Sequence, residues 1–258
     1  MNVTSAEKLF KNIKRQVGKA IGDFDLIEEG DKIIVGVSGG KDSYTLMHML
    51  EALRKKAPVK FELIAVNIDP GFPGYRKEVI EQYLKQQMFD YHMKTTQSHE
   101  IIEENLRAGT SYCAFCSRLR RGFLYTMADK LGCNKIALGH HLDDFIETLL
   151  LNQFFSGKLA TMSAKLKADN GQHTVIRPMV YVEERDISTL SRLMQFPIVC
   201  CSCPVVGETD QNRQKMKELV RTLAKDIPEV RNSMLSAMKN VHPSHLLDDQ
   251  LYKTTASD

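Results

Sequence analysis

Lys32 to Val37 (KIIVGV) runs directly into Ser38-Gly39-Gly40-Lys41-Asp42-Ser43, after which Leu46, Met47, Leu50 and Leu53 recur at helical spacing. A short β-branched apolar run reads as a buried strand, the paired glycines as a tight turn, and the later periodicity as a helix. The pattern then repeats. Phe61 to Ile68 (FELIAVNI) predicts a second strand closed by Asp69-Pro70-Gly71, Tyr75 to Met88 a helix, and the region near Tyr91 a third strand. Farther on, a helix is expected from Ser117 to Leu131, a strand from Lys135 to Leu138, a turn at Gly139-His140-His141, and a helix from Asp143 to Phe155. Such βαβα alternation with continuously apolar strands predicts an α/β fold: a mostly parallel sheet with helices on both faces, binding ligands beyond the carboxyl ends of its strands.

The flanks are helical. Leu9, Ile13, Val17 and Ile21 mark an amphipathic N-terminal helix over 7–22, and helical pattern returns from Val182, with a helix expected from Gln211 to Ala224. The polar stretch 157–173 reads as a mobile loop. These shifts divide the chain into an N-terminal helical cap (1–30), an α/β domain (31–200) and a C-terminal cysteine loop with a helical segment (201–258). At 258 residues, 43% of them apolar and 26% charged, the composition is that of a folded globular chain and excludes a disordered one. Lys8, Lys11, Lys14, Arg15 and Lys19 interrupt the N-terminal apolar runs, and no stretch approaches the roughly 20 apolar residues of a membrane span. A cytoplasmic protein with no membrane partner is expected, and its cysteines should be reduced.

The turn at Ser38 to Ser43 lies where backbone amides and a helix N-terminus favour an anion such as pyrophosphate. It is not a Walker A loop: Gly36 and Gly40 stand one residue too close, and Asp42 occupies the Ser/Thr position. Asp143 and Asp144 follow the second glycine turn. Alone they could simply complement a helix dipole; beside a phosphate site they would repel it unless Mg²⁺ lay between. His140 and His141 lack the spacing of a helical zinc pair.

Cys113-Ala114-Phe115-Cys116 can turn two thiolates toward one metal, and a cysteine from the distant group Cys200, Cys201 and Cys203 could join them. Three protein ligands would leave one coordination position for chemistry. A thioredoxin-like redox pair is disfavoured because the CxxC follows a polar loop in mid-chain. Cys133 reads as a small core residue. A net charge of +3 announces no polyanion partner, so nucleic-acid binding would rest on local clusters: Arg118, Arg120 and Arg121; Lys158, Lys165 and Lys167; and Arg213, Lys215, Lys217, Arg221 and Lys225.

The run SGGKDS resembles the signature of the PP-loop ATP pyrophosphatases, which have an adenine nucleotide α-hydrolase-like fold. That resemblance implies nucleotide contacts at Ser38, Gly39, Gly40, Lys41, Asp42, Ser43, Gly139 and His140, with adenine held by backbone near Val66 and Ile68. Together with TSYCAFCSRLRRG (110–122), LGHHLDD (138–144), CPVVG (203–207) and the ending SAMKNV and PSHL, the chain from about residue 8 to Leu246 resembles the tRNA 2-thiocytidine synthetase family. The resemblance implies ATP, Mg²⁺ and a [4Fe-4S] cluster on Cys113, Cys116 and Cys203, with Arg120, Asp143 and Asp144 catalytic. It departs from the family pattern at Val206, which stands where a fourth cysteine is expected, and Cys201 and Cys200 remain rivals to Cys203.

The implied reaction adenylates O2 of cytidine 32 in the tRNA anticodon loop and replaces it with sulfur. Its partners would be tRNA and a cysteine desulfurase or other sulfide donor, with room for a homodimer. Two other readings compete: a different PP-loop tRNA-modifying enzyme, such as a 2-thiouridine synthetase or lysidine ligase, and a zinc-stabilised, non-catalytic RNA-binding protein.

Overall fold

The computed structural model describes residues 3–105, 112–168, 171–199 and 211–248, with backbone alone at 3, 4, 113 and 114. In chain order the elements are α1 (Val3–Asp23), β1 (Lys32–Gly36), α2 (Lys41–Arg54), β2 (Glu62–Asp69), α3 (Lys77–Gln86), β3 (Tyr91–Thr95), α4 (Ser98–Asn105) and α5 (Tyr112–Leu131). There follow β4 (Lys135–Ala137), α6 (Leu142–Ser156), β5 (Lys165–Lys167), β6 (Thr174–Ile176), α7 (Glu184–Leu193), α8 (Gln211–Asp226) and α9 (Val230–Lys239).

Six strands form one sheet in the order β3-β2-β1-β4-β6-β5, parallel except for β5. The register sets Ile34 between Ile64 and Ile136. Because side chains alternate across the pleat, successive residues of β1 serve opposite layers. Ile33 and Val35 pack with Tyr44, Leu46 and Leu50 of α2, Ile80 and Leu84 of α3, and Ile13 and Val17 of α1. Ile34 joins Val66 and Ile68 beneath Leu124, Met127 and Ala128 of α5, the layer that also buries Cys133. Helices therefore cover both faces, as the apolar strands require. Among the described residues no helix is long and apolar enough to cross a membrane.

The sheet reverses direction at β1. Successive units place β2 and β3 on one side of it and β4 and β6 on the other, so the loops after β1 and β4 meet at a topological switch point. Crossover helices run antiparallel to the strands they join. The N-termini of α2, α5 and α6 consequently gather at one edge, beyond the strand carboxyl ends.

Three features differ from the sequence reading. The supposed loop 157–173 contains β5, an antiparallel edge strand whose pattern, Lys-Leu-Lys, is too short to reveal a period; Lys165 and Lys167 are exposed and guard the open edge. Residues 98–105 form the short helix α4, carried by buried Ile102. Helix α5 begins at Tyr112 instead of Ser117, so Cys113 and Cys116 belong to its first turns and not to a preceding loop.

At the opposite edge, Asp31 and Lys135 are 3% and 4% exposed and pair at 2.7 Å, joining the entries of β1 and β4. Asp31 also accepts from Asn134 Nδ2 at 2.7 Å and from the Glu28 N–H at 2.6 Å. Removing Asp31 leaves buried Lys135 with only the exposed Glu28 carboxylate at 3.7 Å, so Asp31→Ala should destabilise the fold by about 3–5 kcal/mol. Urea denaturation measures this; a loss below about 1 kcal/mol would match a surface pair and contradict the assignment.

Candidate active site

The glycine loop is built by its own hydroxyls. Ser43 Oγ donates to the Gly40 carbonyl at 2.9 Å and accepts from the Ser38 N–H at 3.2 Å, while Ser38 Oγ accepts from the Gly40 N–H at 3.4 Å. Gly39 has φ +84°, and a Cβ there would lie 2.8 Å from Ile80 Cδ1 and 3.1 Å from Val199 Cβ. Glycine is required on both counts. From below, fully buried Asn67 donates through Nδ2 to the Val37 carbonyl at 2.7 Å and to Tyr75 Oη at 2.8 Å, and Tyr75 Oη in turn donates to the Ser38 carbonyl at 3.4 Å. Asn67 and Tyr75 were not singled out by the sequence; a polar residue within the apolar run FELIAVNI was the available signal.

The second loop abuts the first. A Cβ at Gly139 would stand 3.1 Å from the Asp42 carbonyl carbon and 3.2 Å from the Ser43 nitrogen, tight against the backbone at the start of α2. Between the loops lies buried His141, with Nε2 3.7 Å from Asp42 Oδ1 and 3.5 Å from Asp144 Oδ2. Asp144 Oδ2 also accepts the His141 N–H at 2.9 Å, closing the first turn of α6.

Asp143 is held differently. Its Oδ2 accepts the Glu184 N–H at 2.7 Å and its Oδ1 accepts from Arg231 Nε at 2.9 Å. Both oxygens are engaged in docking α7 and α9 against α6. The geometry thus brings Asp42 and Asp144 together beside the glycine loop and gives Asp143 a bracing position.

Lys41 pairs with Asp42 at 3.0 Å and with Glu184 at 3.3 Å, and Glu184 also holds Lys217 at 2.5 Å. Burial alone would lower the Lys41 pKa, but the two carboxylates outweigh it and hold it above the ordinary value. Burial likewise works against the charge on Glu184; its hydrogen bond to Lys217 and the nearby Lys41 overcome that and bring it down to about 2. Two basic residues of α8 are therefore engaged in intramolecular pairs: Lys217 with Glu184, and Arg213 with Glu147 at 3.2 Å and Asp144 at 3.5 Å. Arg118 is exposed on α5, with Arg120 and Arg121 part-buried beside it.

Cys113 and Cys116 lie three residues apart on α5, one helical turn, which places them on one face at a helix N-terminus. The ring of Tyr112 lies 6.2 Å from that of Phe72, in the loop after β2, so this end of α5 stands at the same edge as the glycine loop. Cys200, Cys201 and Cys203 lie outside the described residues. The segment just before them is pinned to the glycine loop: the Val199 N–H donates to the Gly39 carbonyl at 3.0 Å, Tyr44 Oη donates to the Pro197 carbonyl at 3.3 Å, and the Phe196 ring stacks on His48.

The expected adenine edge is also divided. The Val66 carbonyl accepts the Val37 N–H at 2.9 Å. Alternation turns the Ile68 peptide the same way, past the end of β1.

Residues 9–197 match the model of the PP-loop domain family. Along nearly the whole chain, the sequence is 59% identical to the tRNA-cytidine(32) 2-sulfurtransferase of Syntrophotalea carbinolica, over 98% of each chain. It is 58% identical to that of Geobacter sulfurreducens, over 95% of each. The chain belongs to the tRNA-cytidine(32) 2-sulfurtransferase family. The fold of these sulfurtransferases is shared by a solved structure, the U34-tRNA thiolase NcsA from Methanococcus maripaludis with its [4Fe-4S] cluster, at TM-score 0.72 and 22% identity over 92% of this chain and 81% of that one.

For this sulfurtransferase relative, Gly39→Ala forces a Cβ into Ile80 and Val199 in a backbone region that costs about 1–3 kcal/mol for a non-glycine residue. The expected outcome is loss of ATP binding with a modest drop in Tm. Calorimetric titration showing ATP affinity within about twofold of wild type, a difference of under 0.5 kcal/mol, would refute the cradle.

Proposed function

We propose that the chain is an ATP-dependent tRNA sulfurtransferase that converts cytidine 32 of the anticodon loop to 2-thiocytidine through an adenylated intermediate. One observation carries this reading beyond family likeness: an anion-binding loop, the start of the CxxC helix and the segment leading to the second cysteine group meet at one sheet edge. The Val199 to Gly39 bond is the most direct tie between them.

The steps follow from charge. MgATP lays its departing pyrophosphate on the Ser38 to Ser43 amides and the N-terminus of α2, while Lys41 exchanges part of its pairing with Asp42 and Glu184 for phosphate oxygens. Asp42 and Asp144 offer carboxylate oxygens to the magnesium of that substrate, with Asp143 keeping α7 in place behind them. The Ile68 peptide edge receives adenine, beside Val66, and Gly139 and His140 border the α-phosphate. O2 of the cytidine attacks the α-phosphorus and pyrophosphate leaves. Sulfide then adds at C2, and the C2–O bond breaks to release AMP. Arg120, four residues beyond Cys116, carries a buried Nε with no hydrogen-bond partner among the described residues, which suits a guanidinium awaiting the AMP oxygen.

The donor set fits an iron–sulfur cluster. Cys113 and Cys116 share a face at a helix N-terminus, and Cys203 follows the anchored Val199 by four residues. These three would hold a [4Fe-4S] cluster, which when bound supplies one iron position that no protein thiolate fills. The neighbouring thiolase that shares this fold carries such a cluster. Sulfide would come from a cysteine desulfurase or another donor in the cytoplasm. Exposed Arg118 and part-exposed Arg121, beside Arg120, offer charge to tRNA phosphates, giving salt-sensitive binding.

Anaerobically purified protein supplied with ATP, sulfide and tRNA should form 2-thiocytidine, read by nucleoside mass spectrometry. Cys116→Ser should abolish the product, and Arg120→Met should lower kcat by roughly 10²–10³ while retaining ATP binding. A deletion strain that lost 2-thiouridine and kept 2-thiocytidine would defeat the assignment.

A further inference from the structure

Arg177 lies just past β6, next to the loop that follows β4, and is 4% exposed. Its Nη1 donates to the Ser163 carbonyl at 2.6 Å and its Nε to His140 Nδ1 at 3.2 Å. No carboxylate pairs with it among the described residues; burial works most against its charge, Arg121 of α5 adds repulsion, and Tyr125 opposes them. A buried guanidinium without a counter-ion is costly, and one aimed at an imidazole is unusual enough to need a reason.

That reason lies in the chemistry of the pair. A guanidinium has N–H donors and no acceptor. The Nδ1 atom it meets must therefore present a lone pair, and a histidine with a lone pair on Nδ1 is neutral with its proton on Nε2. His140 is part-exposed, and among the described residues no protein group takes its Nε2.

We propose that Arg177 is a positioning residue that locks His140 as the neutral Nε2–H tautomer, making it a hydrogen-bond donor to a phosphoryl or carbonyl oxygen in the cleft. A general base at this position is thereby excluded, and so is an imidazolium. The donor role rests on the proposed sulfurtransferase reading; the tautomer does not.

Charges around the ring agree with the lock. Burial is the main influence and pushes His140 down to about 4; Asp144 of α6 opposes this, while Arg177, His141 of the same loop and Arg213 of α8 reinforce it. Protonation would set a cation against the Arg177 guanidinium. The ring should accordingly stay neutral from pH 5.5 upward.

The test uses full-length protein labelled with ¹⁵N-histidine. Long-range ¹H–¹⁵N correlation spectra, with His140 assigned by its absence in His140→Gln, should show protonated Nε2 and bare Nδ1, unchanged between pH 5.5 and 8. A proton on Nδ1, or a charged ring at pH 6, overturns the lock. In Arg177→Met the spectrum should become a mixture of tautomers; retention of the pure Nε2–H form in the folded variant also overturns it. Should Arg177→Met fail to fold, the wild-type spectrum still decides.

The donor role is read separately. His140→Met should lower kcat/KM by about 10²–10³, whereas His140→Gln, which keeps an N–H near the Nε2 position, should stay within about tenfold of wild type. The loss falls on KM for ATP where the oxygen is the nucleotide's and on KM for tRNA where it is the RNA's. Equal losses in the two variants would overturn the donor role. Wild-type protein that shows the tautomer but makes no 2-thiocytidine would instead indict the functional reading.

Discussion

The close approach of Gly139 to the backbone of Asp42 and Ser43 is the constraint on which the site depends. Parallel pairing puts β1 and β4 side by side, but their following loops could still splay apart. A glycine in the second loop lets it lie against the first turn of α2, and the two helix N-termini then converge on one space. Their dipoles add there, which is why the same few residues can both attract a polyphosphate and tolerate Asp42 and Asp144. A side chain at position 139 would press on the start of α2 and push the second loop, with Asp144, away from the first.

Charge in this space is arranged in alternation. Lys41, Glu184 and Lys217 form a chain in which one carboxylate serves two ammonium groups, and Arg213 stands between Asp144 and Glu147. The consequence is that α8, the helix after the second cysteine group, is tied electrostatically to the glycine loop. It also means that a basic run in the sequence need not be a nucleic-acid surface. Arg213 and Lys217 are occupied by acids of α6 and α7, whereas Arg118 of α5 is exposed and Arg120 and Arg121 are part-buried.

Much of this was legible in the sequence, and the exceptions have physical causes. The SGGKDS loop, the LGHHLDD turn and the alternating strands could be read because local spacing determines them: a strand end, a glycine with positive φ, a helix start. The first turns of α5 could not, since polar residues and cysteines at a helix N-terminus carry no hydrophobic period. Strand β5 was missed because three residues cannot display alternation, and its partner β6 lies too close to it in sequence to look like anything but a loop. Arg177 and Glu184 escaped notice for another reason. Their partners are distant in sequence, His140 for one and Lys41 for the other, so nothing local distinguishes them from ordinary surface charges.

The cysteines present the same problem at larger scale. A CxxC in mid-chain and a cysteine group almost ninety residues later have no reason in sequence to share a location. Topology brings the CxxC and the segment that leads toward the second group, as far as Val199, to one sheet edge. Helix α5 must begin at the carboxyl edge because it returns the chain to the start of β4, and the chain leaving α7 is drawn to that edge by Phe196, Pro197 and Val199 contacting α2 and Gly39. The first is imposed by the handed crossover of a parallel sheet, the second by aromatic packing and a single backbone hydrogen bond. The glycine loop and the segment that leads to the second cysteine group are consequently coupled through Gly39 itself: a change that reshapes the loop must also move Val199.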